Sequence, residues 1–152
     1  MSRRDLIKMT EPELDAFLHE RQVMNVATLL PDGRPHLVAM WYGFLDGAPA
    51  FWTYGRSQKI VNLRRDPRVT CLVEDGDTYD QLRGAELIGT GRIVEDRDAC
   101  AEVGRSVYER YTGPVDETAE SVLAVMGAKR VVVVVDVDQA VTWDHRKLAG
   151  RY

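Results

Sequence analysis

The sequence predicts a mainly β domain of the α+β kind, with six antiparallel strands in a closed or split β-barrel and helices at its periphery. Three observations carry this. Six runs of apolar, β-branched or aromatic residues recur along the 152 residues, each bounded by Gly, Pro or Asp. The early runs are joined by turns too short for anything but antiparallel neighbours, Pro31-Asp-Gly-Arg34 and Asp46-Gly-Ala-Pro49. Finally, Gly89 and Gly91 fall inside one run, on the face of Leu87 and Ile93. Glycine weakens a strand, so two together point to a tight barrel bend or the close approach of another backbone.

The elements follow in order. Thr10-Glu-Pro-Glu13 is a capping box with proline near the helix start. Leu14, Phe17 and Leu18 mark the buried face of a helix running to about Arg21. Strands are expected over Val23–Leu30, Pro35–Leu45 and Ala50–Tyr54, then a short helix from Ser57 that stops at Asp66-Pro67. Val69–Glu74 is the fourth strand, with Val69, Cys71 and Val73 on one face, and Glu86–Val94 is the fifth. Helices follow over Asp98–Tyr111 and Glu117–Ala128, separated by Gly113-Pro114. The last strand, Arg130–Thr142, is apolar on both faces through Val135, which calls for cover on each side, a barrel core within and a partner subunit without. No repeat or linker divides residues 1–152, so a single domain is expected.

Composition narrows the function. The net charge is −4 and the pI near 5.4, which argues against a general nucleic-acid or anionic-membrane binder. The basic group Arg64, Arg65 and Arg68 is local and interrupted by Asp66, and reads as a solvated helix end. Cys71 and Cys100 form neither a disulfide framework nor a metal knuckle. The N-terminus lacks an apolar signal core and no run reaches transmembrane length, so a cytoplasmic protein is expected by default.

Chemistry is sparse. His19, His36 and His145 have no metal-ligand spacing, and there is no nucleophile elbow, Walker A sequence, Gly-x-Gly-x-x-Gly turn or obvious pair of acids. An enzyme with this sequence would leave the hard chemistry to a cofactor. The stretch Phe51–Pro67 is where one could bind. Ser57 is placed as an N-cap, yet Lys59 lies in the first turn and Arg56 just before it, with no acid until Asp66. Cations at the positive end of a helix dipole are unfavourable unless an anion joins them, and free amides, the Ser57 hydroxyl and the Lys59 ammonium together suit a phosphate. The alternative reading is two solvated surface charges. Met40, Trp41, Tyr42, Trp52 and Tyr54 supply apolar, mostly aromatic strand surface nearby, as barrel core or as a bed for a planar heterocycle.

The ordered motifs Asp32-Gly-Arg-Pro35, Met40-Trp-Tyr42, Ser57-x-Lys59, Asn62-Leu-Arg-Arg-Asp-Pro-Arg68, Gly89-x-Gly91 and Trp143-Asp-His-Arg-Lys147 resemble the pyridoxamine 5'-phosphate oxidase-like split β-barrel superfamily. Within it, the chain is most similar to the flavin/deazaflavin oxidoreductases that use coenzyme F420. The resemblance spans about Thr10 to Tyr152. It implies a six-stranded split barrel of the FMN-binding type, working as a homodimer with the cofactor in a groove between subunits. By matching motif, Ser57 and Lys59 would hold the cofactor's phosphate, with Asn62 and Arg56 as further candidates. Val38, Ala39 and Met40 would lie along the ring through their backbone, with Trp41 and Tyr42 near it. Lys147, in the tail, would meet the cofactor's acidic end at the dimer interface.

That resemblance implies an enzyme passing hydride from reduced F420 to an electron-poor small molecule of the enone, quinone or tetrapyrrole class. The alternatives are an FMN-dependent oxidoreductase and a non-catalytic protein that binds a cofactor or hydrophobic ligand. The arginine-rich strand and terminal substrate motif of true pyridoxine-phosphate oxidases are not matched, which argues against vitamin B6 oxidation. Substrate contacts are expected from loops such as 75–84.

Overall fold

A computed structural model describes residues 2–20 and 23–150. Two short helices open the chain, α1 (Arg3–Leu6) and α2 (Glu11–Glu20). The predicted capping box is present at α2, where Thr10 Oγ1 accepts from the Glu13 amide and Glu13 accepts from the Thr10 amide at 2.7 Å. The expected helix end at Arg21 and the tail beyond Gly150 lie outside the described residues. The remaining elements are β1 (Val23–Leu29), β2 (Pro35–Trp41), β3 (Gly43–Leu45), β4 (Ala48–Tyr54), α3 (Gln58–Arg65), β5 (Arg68–Asp75), β6 (Arg83–Val94), α4 (Arg97–Tyr111), α5 (Glu117–Gly127) and β7 (Arg130–Asp144).

All seven strands form one antiparallel sheet in the order β2-β1-β5-β6-β7-β4-β3. The count differs from the expected six because the predicted strand Pro35–Leu45 is broken at Tyr42. Before the break the chain pairs with β1, and after it with β4. The two ends of the sheet are therefore one stretch of chain, and the sheet curls into a split barrel. Tyr42 turns inward at the break, fully buried, and its phenol donates to the Leu18 carbonyl of α2.

Alternation on β1 and β5 sends Met24, Val26, Val69, Cys71 and Val73 into the barrel with Phe51, Leu87, Val133 and Val135. Helix α3 closes one end through Ile60 and Leu63. At Gly91, a Cβ would stand 2.9 Å from the Leu63 side chain, and at Gly89 it would collide with the carbonyl of Asp136 on β7. The close backbone approach expected at these glycines is met at Gly89, whereas the neighbours at Gly91 are side chains. At Gly89 it coincides with a register shift in the β6–β7 ladder.

One expectation about β7 is corrected. Val131, Val133 and Val135 do face the barrel core, but the outer face at Val132 and Val134 is covered by α4 through Cys100, Val103 and Val107, not by a partner subunit. Trp52 and Leu45 complete this second core. Among the described residues no helix is long and apolar enough to cross a membrane, and no group of three or more His, Cys, Asp or Glu could hold a metal ion.

Candidate functional site

The predicted cationic helix start exists, and its hydrogen bonding is unusual. Ser57 holds the N-cap position with extended backbone, φ −65° and ψ 155°, but its hydroxyl does not cap the helix. It receives instead a 3.3 Å hydrogen bond from the Thr53 hydroxyl. The amides of Ile60 and Val61 reach the Ser57 carbonyl. Those of Gln58 and Lys59 meet no acceptor among the described residues. Lys59 is buried, and its ammonium donates to Thr53 Oγ1 at 3.0 Å. Burial lowers its pKa, and among the described residues no carboxylate pairs with it to restore the charge.

Next to this helix start lies an open groove of about 700 Å³ lined by Tyr54, Gly55, Arg56, Arg64, Glu95, Lys129 and Val131. Arg64 is engaged by Glu95 at 2.6 Å. Arg56 and Lys129 have no carboxylate partner among the described residues, so the groove carries an uncompensated positive charge. The Gly55 amide donates to the Lys129 carbonyl at 3.1 Å, which holds the two sides of the groove together.

The strand edges frame the split. β2 ends the sheet and pairs only with β1, so its other edge is unladdered. Beyond Ala50, β4 pairs only with β7, so one edge of Phe51–Tyr54 is also free. Val38 and Met40 pack half-buried against the barrel core, while Ala39 and Trp41 point outward. Trp41 is 56% exposed and stacks on Tyr111, ring centroids 3.8 Å apart.

The family model for pyridoxamine 5'-phosphate oxidase matches residues 10–144. The chain belongs to the pyridoxamine 5'-phosphate oxidase family. A curated relative, the F420H(2)-dependent biliverdin reductase of Mycobacterium tuberculosis, is 32% identical over 101 residues, covering 65% of this chain and 70% of that protein. The crystal structure of the conserved hypothetical protein Rv2991 from Mycobacterium tuberculosis superposes with a TM-score of 0.93 at 47% identity, over 98% of this chain and 93% of that one. A structure titled F420 Reductase superposes with a TM-score of 0.63 at 28% identity, over 83% of this chain and 94% of that one. The expected resemblance to this superfamily and to its F420-using branch is thereby met.

Within this family member, the structure sorts the predicted residues into three groups. Ser57, Lys59 and Arg56 cluster at the start of α3, and Val38, Ala39, Met40 and Trp41 lie along the free β2 edge. Asn62 and Tyr42 turn inward. Asn62 is fully buried, donates to Thr28 Oγ1 at 3.0 Å and accepts from Gln58, which ties α3 to β1. The Tyr42 side chain is part of the core and offers no surface to a ligand. Lys147 stands apart: it binds Glu13 and the Lys8 carbonyl, past the far end of β7. Strand β7 separates Arg130 from Asp144 by on the order of 40 Å along the chain. Within one chain Lys147 therefore does not join the α3 cluster. The loop between β5 and β6 is pinned at the same far end, where Tyr79 packs edge-on against His145.

Sequence reasoning missed Thr53 and Lys129. Thr53 reads as an ordinary strand residue, yet its hydroxyl links Ser57 to Lys59. The signal for Lys129 was faint: two adjacent cations, Lys129-Arg130, just before an apolar strand.

Proposed function

We propose that this protein is an oxidoreductase that uses reduced coenzyme F420 to reduce an electron-poor small molecule. The observation that carries this is the uncapped, cationic start of α3 beside two unladdered strand edges. Free amides at Gln58 and Lys59, the Ser57 hydroxyl and the Lys59 ammonium would form a donor set that suits a phosphate, with the Arg56 and Lys129 charges in the groove beside it. The name of the F420H(2)-dependent biliverdin reductase relative supports a deazaflavin over FMN.

When bound, the reduced deazaflavin supplies a hydride. The chain's own part is to bind and orient. The α3 cluster would fix the phosphate end, and the β2 backbone edge would align the ring plane. Trp41 would keep water from one side of it. Positioning of this kind accounts for rate without a dedicated acid or base. Direct titration of F420 into wild type and Lys59→Ala tests the anchor, and equal affinities would sink it. An FMN spectrum retained by the purified, desalted protein would instead favour FMN.

A homodimer belongs to the same proposal. The outward row Leu37-Ala27-Thr70-Ile88 runs in register across β2, β1, β5 and β6, and Leu37 is 68% exposed. A second copy covering this face would bury the exposed Leu37 with the row beside it and would bring its Lys147 toward the α3 cluster.

A further inference from the structure

Several cavities lie apart from the groove beside α3, and one of them is lined by aromatic rings and a single arginine. It lies between β2, β4 and the α4–α5 pair, holds about 180 Å³, and is walled by Trp41, Trp52, Tyr108, Tyr111, Met126 and Arg130. It is built rather than accidental. Gly104 of α4 rests against the Trp52 ring, where a Cβ would stand 2.6 Å away. Trp41 and Tyr111 stack to form the opposite wall.

Among the described residues, Arg130 is the only charged one lining this cavity. Its guanidinium lies 4.7 Å from the Trp52 ring centroid and 5.0 Å from that of Tyr54. Its Nε is buried without a hydrogen-bond partner, and no carboxylate pairs with it among the described residues. Ring faces stabilise a guanidinium but accept none of its in-plane N–H groups. A ligand carboxylate at the accessible part of the guanidinium would supply the missing counter-charge, and the fork of an arginine suits it bidentately. A cavity of about 150 Å³ admits one benzene ring. The space here thus fits one ring with a short acidic arm and is too small for a tricyclic coenzyme.

We propose that this pocket binds the ring and carboxylate of a planar aromatic or conjugated acid, with Arg130 taking the carboxylate and Trp41, Trp52 and Tyr111 flanking the ring. This binding stands independently of the coenzyme function proposed above.

The test is titration of trans-cinnamate and its uncharged amide, followed by the indole N–H NMR signals of Trp41 and Trp52. Wild type is expected to bind the acid about tenfold tighter than the amide, the strength of one charge-assisted contact. Arg130→Gln removes that preference, and Arg130→Lys keeps part of it. Equal affinities in wild type, or a preference that survives Arg130→Gln, overturn the proposal. If Arg130→Gln fails to fold, Trp41→Ala decides: weaker binding of both probes supports the pocket, and unchanged binding overturns it. Lys59→Met separates the two readings. An intact acid preference together with lost F420 binding supports both, while an intact preference with unchanged F420 binding removes the coenzyme anchor and leaves the pocket standing.

Discussion

The ammonium of Lys59 is buried against the hydroxyl of Thr53, 3.0 Å away, with no carboxylate partner among the described residues. A desolvated cation with one neutral partner is destabilising in the free protein and becomes favourable only when an anion arrives. Lys59→Met keeps the stem's apolar packing and removes the charge. The expected outcome is an apo protein with an unchanged or higher Tm and an F420 affinity at least about tenfold weaker. Thermal melts and coenzyme titration on the same samples check it.

The same burial predicts a pH dependence. Burial lowers the Lys59 pKa below 10.5 in the fold, so across the window between the lowered value and 10.5 the unfolded chain holds the extra proton. Stability contributed by this residue therefore rises with pH across that window, and the penalty is fully present below it. The Tm difference, wild type minus Lys59→Met, is expected to shift in favour of wild type between neutral pH and about pH 10. A difference that stays flat, measured in matched buffers, would contradict the assignment.

Gly89 and Gly91 should respond differently to alanine. At Gly89 the new Cβ meets the Asp136 carbonyl, which is backbone held in the β6–β7 ladder. At Gly91 it meets the end of the Leu63 side chain, which can turn. Gly89→Ala is expected to cost about 1–3 kcal/mol or more, and Gly91→Ala less. Urea unfolding of the two variants gives the comparison.

Cys71 lies in the barrel core, and burial pushes its thiol up to about 12. Cys100, against α4's partner strands, is also raised by burial, with the nearby Arg97 opposing. The thiolate is the reactive form, so both should resist alkylation in the native protein at neutral pH and react once it is unfolded. Mass spectrometry after iodoacetamide treatment, with and without urea, reads this directly.

The apolar row beginning at Leu37 predicts self-association. Wild type is expected to elute as a dimer in light-scattering chromatography, and Leu37→Glu to shift it toward monomer by placing a charge where the row would be buried. A monomeric wild type would remove the homodimer from the proposed function.

Much of the fold was legible because its signals are local. The Thr10–Glu13 capping box, the Asp66-Pro67 stop and the two tight turns each depend on residues within a few positions of one another, and all appear where expected. Alternation along Val69–Val73 gave the barrel face for the same reason. The Pro35–Leu45 segment was less legible. Its composition is continuously β-prone, and the break at Tyr42 arises because its pairing partner changes from β1 to β4. Nothing within the segment encodes that change.

The site divides along the same line. The sequence by itself determined the cationic helix start at Arg56, Ser57 and Lys59, the aromatic strands beside it, and through its ordered motifs the family. These rest on residue type at short spacing, where helix dipole and strand preference act. Only the tertiary structure decided that Ser57 turns from its own helix to Thr53, that Asn62 is a strut to Thr28, and that α4 covers Val132 and Val134. It also brought Lys129 and Arg130 to Tyr54 through the β4–β7 ladder. Each of those depends on groups distant in sequence competing for one hydrogen bond or one apolar surface, and that competition is resolved only when the sheet curls and its faces are filled.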